Sequence, residues 1–384
     1  MKTTYDVIVI GVGSMGSATC YYLAKRGFKV LGIEQFKIAH EFGSHAGQSR
    51  IIRKAYFEHP GYVPLLERAY ENWKALEQET GEHVYFKTGL LYSGSPDNPI
   101  IKGVKQSAAL YNLELVDLQK EFVEQQYPQF SFPEDFEILF EPDAGFLPPE
   151  KSIQLYTASA MKYGATIHTE EKITGWEKKN DLVIVETDKG TYQSKKLVIT
   201  AGAWAGKMIP GFADKIKVTR QFVAWIKQRE AIEPVPDNFP CWMIADESKK
   251  GCYYGFPLVA ADEFGSPEGL KLAHHYPFGE TVPDNPDRDV TEEDVDDLTY
   301  CLNKYMPGVF ETVLSSKVCL YANSPDENFI IDHLPGYDGK VSIACGFSGH
   351  GFKFASVVGE ILADLATEGK TDLPIEFLNA KRFN

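Results

Sequence analysis

The sequence predicts a two-domain chain of mixed α/β and α+β class, in which one α/β domain is interrupted by an inserted mixed sheet. Three observations carry this. A β-branched run near the N-terminus leads at once into a glycine fingerprint. A second apolar strand ends in a small-residue turn near residue 200, and the stretches 86–148 and 218–316 are richer in Pro, Tyr and Phe than their surroundings.

Taken in order, Tyr5-Asp6-Val7-Ile8-Val9-Ile10 is the kind of run that fills a buried parallel strand. Gly11-Val12-Gly13-Ser14-Met15-Gly16 follows, then a helix over about Ser14 to Arg26, with Ala18, Tyr22 and Leu23 at helical spacing and Gly27 as its stop. Lys29 to Glu34 reads as the second strand and completes a βαβ unit. In such a unit Gly11 makes the tight turn, Gly13 lets the backbone approach a pyrophosphate, and Gly16 lets helix and strand pack closely. Glu34, about 20 residues on, is placed to accept hydrogen bonds from ribose hydroxyls. The unit is Rossmann-like, and NAD and FAD both use it. Its place at the extreme N-terminus, and the returning strand Lys196 to Thr200 that ends in Ala201-Gly202-Ala203-Trp204, favour FAD.

Between these segments a helix over Ser152 to Tyr163 and strands at Thr166 to His168 and Leu182 to Thr187 extend the nucleotide domain. The inserted lobes hold strand-like pieces such as Phe222 to Ile226 and a helix over Thr291 to Met306. Pro234 to Pro240 and Pro283 to Asp289 read as loops. Near the C-terminus Val341 to Cys345 is a strand, Gly346 to Lys353 a glycine-dense turn, and Ala355 to Ala366 a helix. The resulting partition is a Rossmann-like FAD-binding domain of residues 1–85, 149–217 and 317–384, with a mixed-sheet substrate domain of 86–148 and 218–316.

Bulk properties narrow the partners. A net charge of −15, from 39 basic and 54 acidic residues, repels phosphate backbones and argues against nucleic acid. An anionic substrate would need a local positive pocket, so internal Arg and Lys matter. The six cysteines show no CxxC pair or zinc spacing, and the chain is long enough to fold without disulfides. With no apolar run near eighteen residues and no export pattern, a cytoplasmic protein without membrane partner or metal is expected.

Two segments hold candidate chemistry. Gly43 to Arg53 follows the second strand and so runs along the cofactor, bringing Ser44, His45, Ser49 and Arg50 to it. Arg50 and Arg53, three apart, would project on related sides if the stretch is helical, ready for a carboxylate or the cofactor. In the C-terminal turn Gly346, Gly349 and Gly351 allow close backbone approach to a ligand, and Phe352 and Lys353 lead into a helix whose N-terminus would stabilise negative charge. Lys353 could there hold a substrate carboxylate.

These segments together carry a resemblance over essentially the whole chain. With GVGSMG at 11–16, GSHAGQSRIIRKAY at 43–56, CYYGFP at 252–257, LKLAHH at 270–275, VCLYANSPDENFIID at 318–332 and GFSGHGFKF at 346–354, it resembles the monomeric sarcosine oxidase and N-methyltryptophan oxidase family of flavoproteins. The resemblance implies FAD attached through a cysteine sulfur to the flavin 8α-methyl, with Cys319 at that position. Arg53 and Lys353 match the pair that grips the substrate carboxylate, and Tyr254 and His275 line the substrate side of the flavin with Tyr321 and Met243 nearby. Lys271 matches the lysine on the opposite face, where O2 is reduced, and Arg50 an arginine against the ring. A monomer acting on a small N-methyl amino acid and O2 is implied. The alternatives are an oxidase of a bulkier or cyclic amine, such as N-methyltryptophan, pipecolate or a glycated amino acid, and an NAD-linked dehydrogenase. Two departures stand out: Ala46 replaces a histidine common in the family, and Ala261 to Pro267 reads as an insertion at the pocket entrance.

Overall fold

A computed structural model describes residues 4–229, 239–265, 267–275 and 278–383. The loop expected at Pro234 to Pro240 lies mostly outside the described residues, as does Ser266 of the expected insertion.

The expected βαβ unit forms, as strand Thr4–Ile10, helix Ser14–Lys25 and strand Val30–Ile33. The first strand lies at the centre of an eight-stranded sheet, parallel to Val30–Ile33 on one side and to Thr191–Ile199 on the other. Strand Val341–Cys345 extends the parallel array beyond Thr191–Ile199, and Thr166–His168 extends it beyond Val30–Ile33. A continuous apolar run is what such a position requires, because both faces are covered. Val7 and Val9 pack into a core with helices Ser14–Lys25, Val63–Thr80, Pro149–Lys162 and Ala355–Glu368. Ile8 and Ile10 face the opposite core, with Leu197, Ile199 and Ile343.

The second large sheet has nine strands and is mixed, drawing its members from 90–141 and 217–323. Its longest pairing joins Lys217–Gln228 to Phe310–Asn323, antiparallel, with Gln221 opposite Cys319 and Thr219 opposite Tyr321. Helix Glu292–Tyr305 packs on one face; Thr291 caps it with a reciprocal capping box to Asp294, the acid three positions on that stabilises a helix start.

Two expectations change. Residues 50–52 are a strand, not a helix, and pair antiparallel with Gly145–Leu147. The β-branched pair Ile51-Ile52 favours extended backbone, and the partner strand lies far away in sequence. The C-terminal turn carries its glycines for a different neighbour as well. A Cβ on Gly349, whose φ is +79°, would stand 2.2 Å from the Tyr321 ring, and one on Gly351 would stand 2.6 Å from Phe347. Close protein packing there, and not only ligand approach, demands glycine.

Candidate active site

One cavity of about 590 Å³ runs from the fingerprint to a pole of two buried cations. Such a volume lies within the range of small-molecule sites. At one end stand Gly11, Gly13, Ser14, Met15, Glu34 and Gly202. Gly11, at φ +84°, turns so tightly that a Cβ would lie 2.6 Å from the Thr200 carbonyl oxygen, and a Cβ on Gly16 would overlap the Gly11 carbonyl at 1.8 Å. Gly16 therefore serves packing and does not line the cavity, whereas Gly13 has open space where its Cβ would be. Glu34 accepts from the Val12 amide at 2.9 Å and the Phe36 amide at 3.1 Å, one per oxygen. Each oxygen keeps a lone pair for a ribose hydroxyl. Burial raises its carboxyl to about 7, against the pull of those amides.

The middle of the cavity is walled by Ser44, His45 and Arg50, then by Gly349, Gly351 and Phe352. His45 Nε2 is buried with no partner among the described residues, so it awaits a group from within the cavity. Arg50 donates to the carbonyls of Ser44 at 3.0 Å, Ala46 at 2.7 Å and Ser49 at 2.8 Å, which pins the loop that carries them.

The far end is built on one face of the nine-stranded sheet. Side chains two apart in a strand share a face, and directly paired residues share it too. Met243 is opposite Tyr254, Tyr254 opposite Ala273, and Trp225 opposite Lys271, so Met243, Tyr254, Lys271 and His275 fall together. Met243, Tyr254, His275 and Tyr321 line the cavity, and His275 Nδ1 lies 3.2 Å from the Tyr321 hydroxyl. Burial lowers His275 to about 4, so its imidazole is neutral near pH 7.

Opposite these stand the two cations. Arg53 is buried at 3% exposure and Lys353 at 5%. Lys353 Nζ donates to the His350 carbonyl at 2.8 Å and reaches the Tyr56 hydroxyl at 3.5 Å. Burial, then the Arg53 charge, lowers its ammonium to about 7, while Glu58 opposes the fall. Arg53 Nη2 donates to both Glu58 carboxylate oxygens at 2.7 Å, and its guanidinium sits 4.2 Å over the Tyr56 ring. Burial would raise the Glu58 carboxyl, yet Arg53 with His350 and Lys353 holds it at about 2. Neither Glu58 nor Tyr56 is marked as a site residue by the sequence pattern alone. The only signal was Glu58 standing five residues after Arg53, a spacing that means nothing until the chain turns.

Four more expected residues, Lys271, Ser49, Cys319 and Gly346, are not among those lining the cavity. Lys271, 2% exposed, donates to the Ser49 carbonyl at 2.6 Å and hydroxyl at 3.1 Å, so Ser49 screens it from the space. Burial, then Arg50, lowers its ammonium well below the usual lysine range. Cys319 is buried with its thiol 3.4 Å from the Ala46 carbonyl, within electrostatic reach of Arg50. Gly346, at φ +65°, shapes the turn against Ser324. Gln48, at φ +65°, accepts from Trp225 Nε1 at 2.6 Å and donates to the Gly265 carbonyl at 2.5 Å, stapling the segment around Glu263–Gly265 to the loop of Arg50.

The fit to FAD is good: a dinucleotide cradle, an orphaned imidazole nitrogen and a long cavity are continuous. Among the described residues no cluster of His, Cys, Asp or Glu could hold a metal ion, and no helix is long and apolar enough to cross a membrane. The FAD dependent oxidoreductase family profile matches residues 6–365. A monomeric sarcosine oxidase of Streptomyces avermitilis is 38% identical over 383 residues, covering 100% of this chain and 98% of the relative. An N-methyl-L-tryptophan oxidase of Citrobacter koseri is 36% identical over 373 residues, covering 96% and 95%. Among solved structures, L-proline dehydrogenase from P. horikoshii superposes with a TM-score of 0.84 at 26% identity, covering 100% of this chain and 98% of that one. With its dinucleotide cradle, its cation-poled cavity and relatives matched from end to end, the chain belongs to the FAD-dependent oxidoreductase family, beside the monomeric sarcosine and N-methyl-L-tryptophan oxidases.

Proposed function

We propose that the protein oxidises N-methyl amino acids such as sarcosine, with O2 and water, to the demethylated amino acid, formaldehyde and H2O2. The observation that carries this is the pole of the cavity, where Arg53 and Lys353 face Tyr254, His275, Tyr321 and Met243. Names of the relatives point to the same substrate class. FAD held by Gly11, Gly13, Ser14, Met15, Glu34, Gly202 and the Ser44–Arg50 loop would supply the two-electron acceptor that O2 regenerates.

The residues' own parts follow from their chemistry. Arg53 and Lys353 form a charge-assisted clamp for the carboxylate and fix the N-methyl group at reacting distance. Glu58 pairs with Arg53 and holds its guanidinium in place. Neutral His275, bonded to Tyr321, leaves the amine uncharged neighbours, which suits its free-base form. Arg50 in the cavity wall and Lys271 behind Ser49 supply positive charge to the reduction of O2. Cys319 is the proposed covalent tether; its place on the strand that also bears Tyr321 supports this. A monomer is proposed from the names of the relatives. The domain partition proposed from sequence is supported by strand membership in two sheets, although strand Phe310–Asn323 runs through the boundary at 317.

The test is a panel of amines read by H2O2 release and formaldehyde. Sarcosine and other N-methyl amino acids should react, and the panel should include N-methyltryptophan, since relatives of both kinds are similar. Turnover of primary or cyclic amines alone would overturn the proposal.

A further inference from the structure

Glu150 follows Pro149 in the first turn of helix Pro149–Lys162, and neither terminal oxygen faces the large cavity. It borders instead a separate cavity of about 220 Å³ with Gly47, Gln48 and Trp225. Its Oε1 accepts from the Gly47 amide at 2.6 Å and the Gln48 amide at 3.4 Å. A Cβ on Gly47, whose φ is +119°, would stand 3.5 Å from Arg50 Nη1 and 3.9 Å from Lys271 Nζ, so the backbone that Glu150 holds lies directly against both cations.

Those cations have no direct carboxylate partner among the described residues: Arg50 donates to three carbonyls and Lys271 to Ser49. We propose that Glu150 is a positioning residue of the Arg50–Lys271 side of the site: its carboxylate fixes the Gly47–Gln48 amides and supplies the negative charge against which both cations are enclosed. The groups facing Lys271 are Arg50, Glu150, Cys319 and Cys241, and those facing Glu150 are His45, Arg50 and Lys271. Burial lowers His45 to about 4, so it is neutral near pH 7, and Glu150 is the carboxylate of the set. The inference rests on the proposed role of Lys271 in O2 reduction.

The test uses the flavoprotein reduced by dithionite, so that no amine enters, and mixed with O2 between pH 6 and 9. Glu150→Gln keeps an acceptor for Gly47 and removes the charge. Lys271 should then lose its proton at lower pH, moving the alkaline fall of the reoxidation rate to lower pH than in the unaltered protein. In a Lys271→Met background the same change should add nothing. Unmoved pH dependence in Glu150→Gln, or an equal slowing in the Lys271→Met background, overturns the inference. The melting temperature and flavin content of the flavoprotein give a readout apart from turnover. Both should fall in Glu150→Gln and recover in the double variant Glu150→Gln/Lys271→Met, and failure to recover overturns it. If Lys271→Met alone leaves reoxidation unchanged, the role of Lys271 fails, and recovery in the double variant then decides for Glu150.

Discussion

The clamp should lose its grip on carboxylates as the pH rises through 7. Lys353 is lowered to about 7 by burial and by Arg53, so its ammonium is complete well below that pH and lost above it. At pH 9, two units higher, about 1% remains charged, and a ligand that needs the ammonium must supply about 2.7 kcal/mol, a weakening of about 100-fold. Arg53 is pushed the other way, above the usual arginine range despite burial, by Glu58, so it stays charged throughout and sets the residual affinity. Glu58 at about 2, His350 at about 3 and His275 at about 4 do not titrate above pH 5, so binding should be flat between pH 5 and 6. The assay is spectral titration of the flavoprotein with a simple carboxylic acid lacking an amine, between pH 5 and 9. Lys353→Met should weaken binding at pH 6 and remove the slope. A dissociation constant that is flat from pH 6 to 9 in the unaltered protein would refute the reasoning.

Four further outcomes are expected. Acid precipitation should leave yellow colour on the unaltered protein and release it from Cys319→Ala; release from both removes the covalent tether. Glu58→Gln takes away the charge that supports Lys353, so the alkaline weakening of carboxylate binding should begin at lower pH in the same titration. Glu34→Gln leaves one carbonyl oxygen where the Val12 and Phe36 amides each have an acceptor, and should release flavin on dialysis once Cys319 is also changed. Gly349→Ala combines a φ of +79° with a clash at 2.2 Å on Tyr321, and about 1–3 kcal/mol of backbone strain alone should lower the melting temperature.

The parts legible in the sequence are those whose partners are near in sequence or whose pattern is periodic. The βαβ unit is written within residues 5–34, and its glycines take the conformations that the fingerprint implies. The strands Thr166–His168, Leu182–Thr187 and Val341–Cys345 match their apolar runs residue for residue. By contrast, the adjacent pair His274-His275 is resolved only by strand parity: His275 shares a face with Lys271, while His274 turns to Asp297 on the helix behind, 2.8 Å away. Glu150 meets Gly47 across 103 residues, and Gln48 meets Gly265 across 217, so neither contact leaves a local trace. The Arg50–Arg53 spacing misled because three residues cannot distinguish a period of 3.6 from one of 2. Cys319, Lys271 and Tyr254 were singled out by likeness to a family; composition alone leaves them ordinary core residues.

The strand Phe310–Asn323 has a consequence for redesign. Cys319 and Tyr321 are two apart on it, hence on one face, and Tyr321 is wedged in turn against Gly349. The proposed anchor of the ring and a wall of the amine pocket are thus one rigid bar, locked by its antiparallel pairing with Lys217–Gln228. Selection for a larger substrate that acts at Tyr321 would disturb cofactor loading as well. Variation at Met243, on a strand that carries no tether, acts away from that bar. Substrate range in this scaffold should therefore evolve from that side.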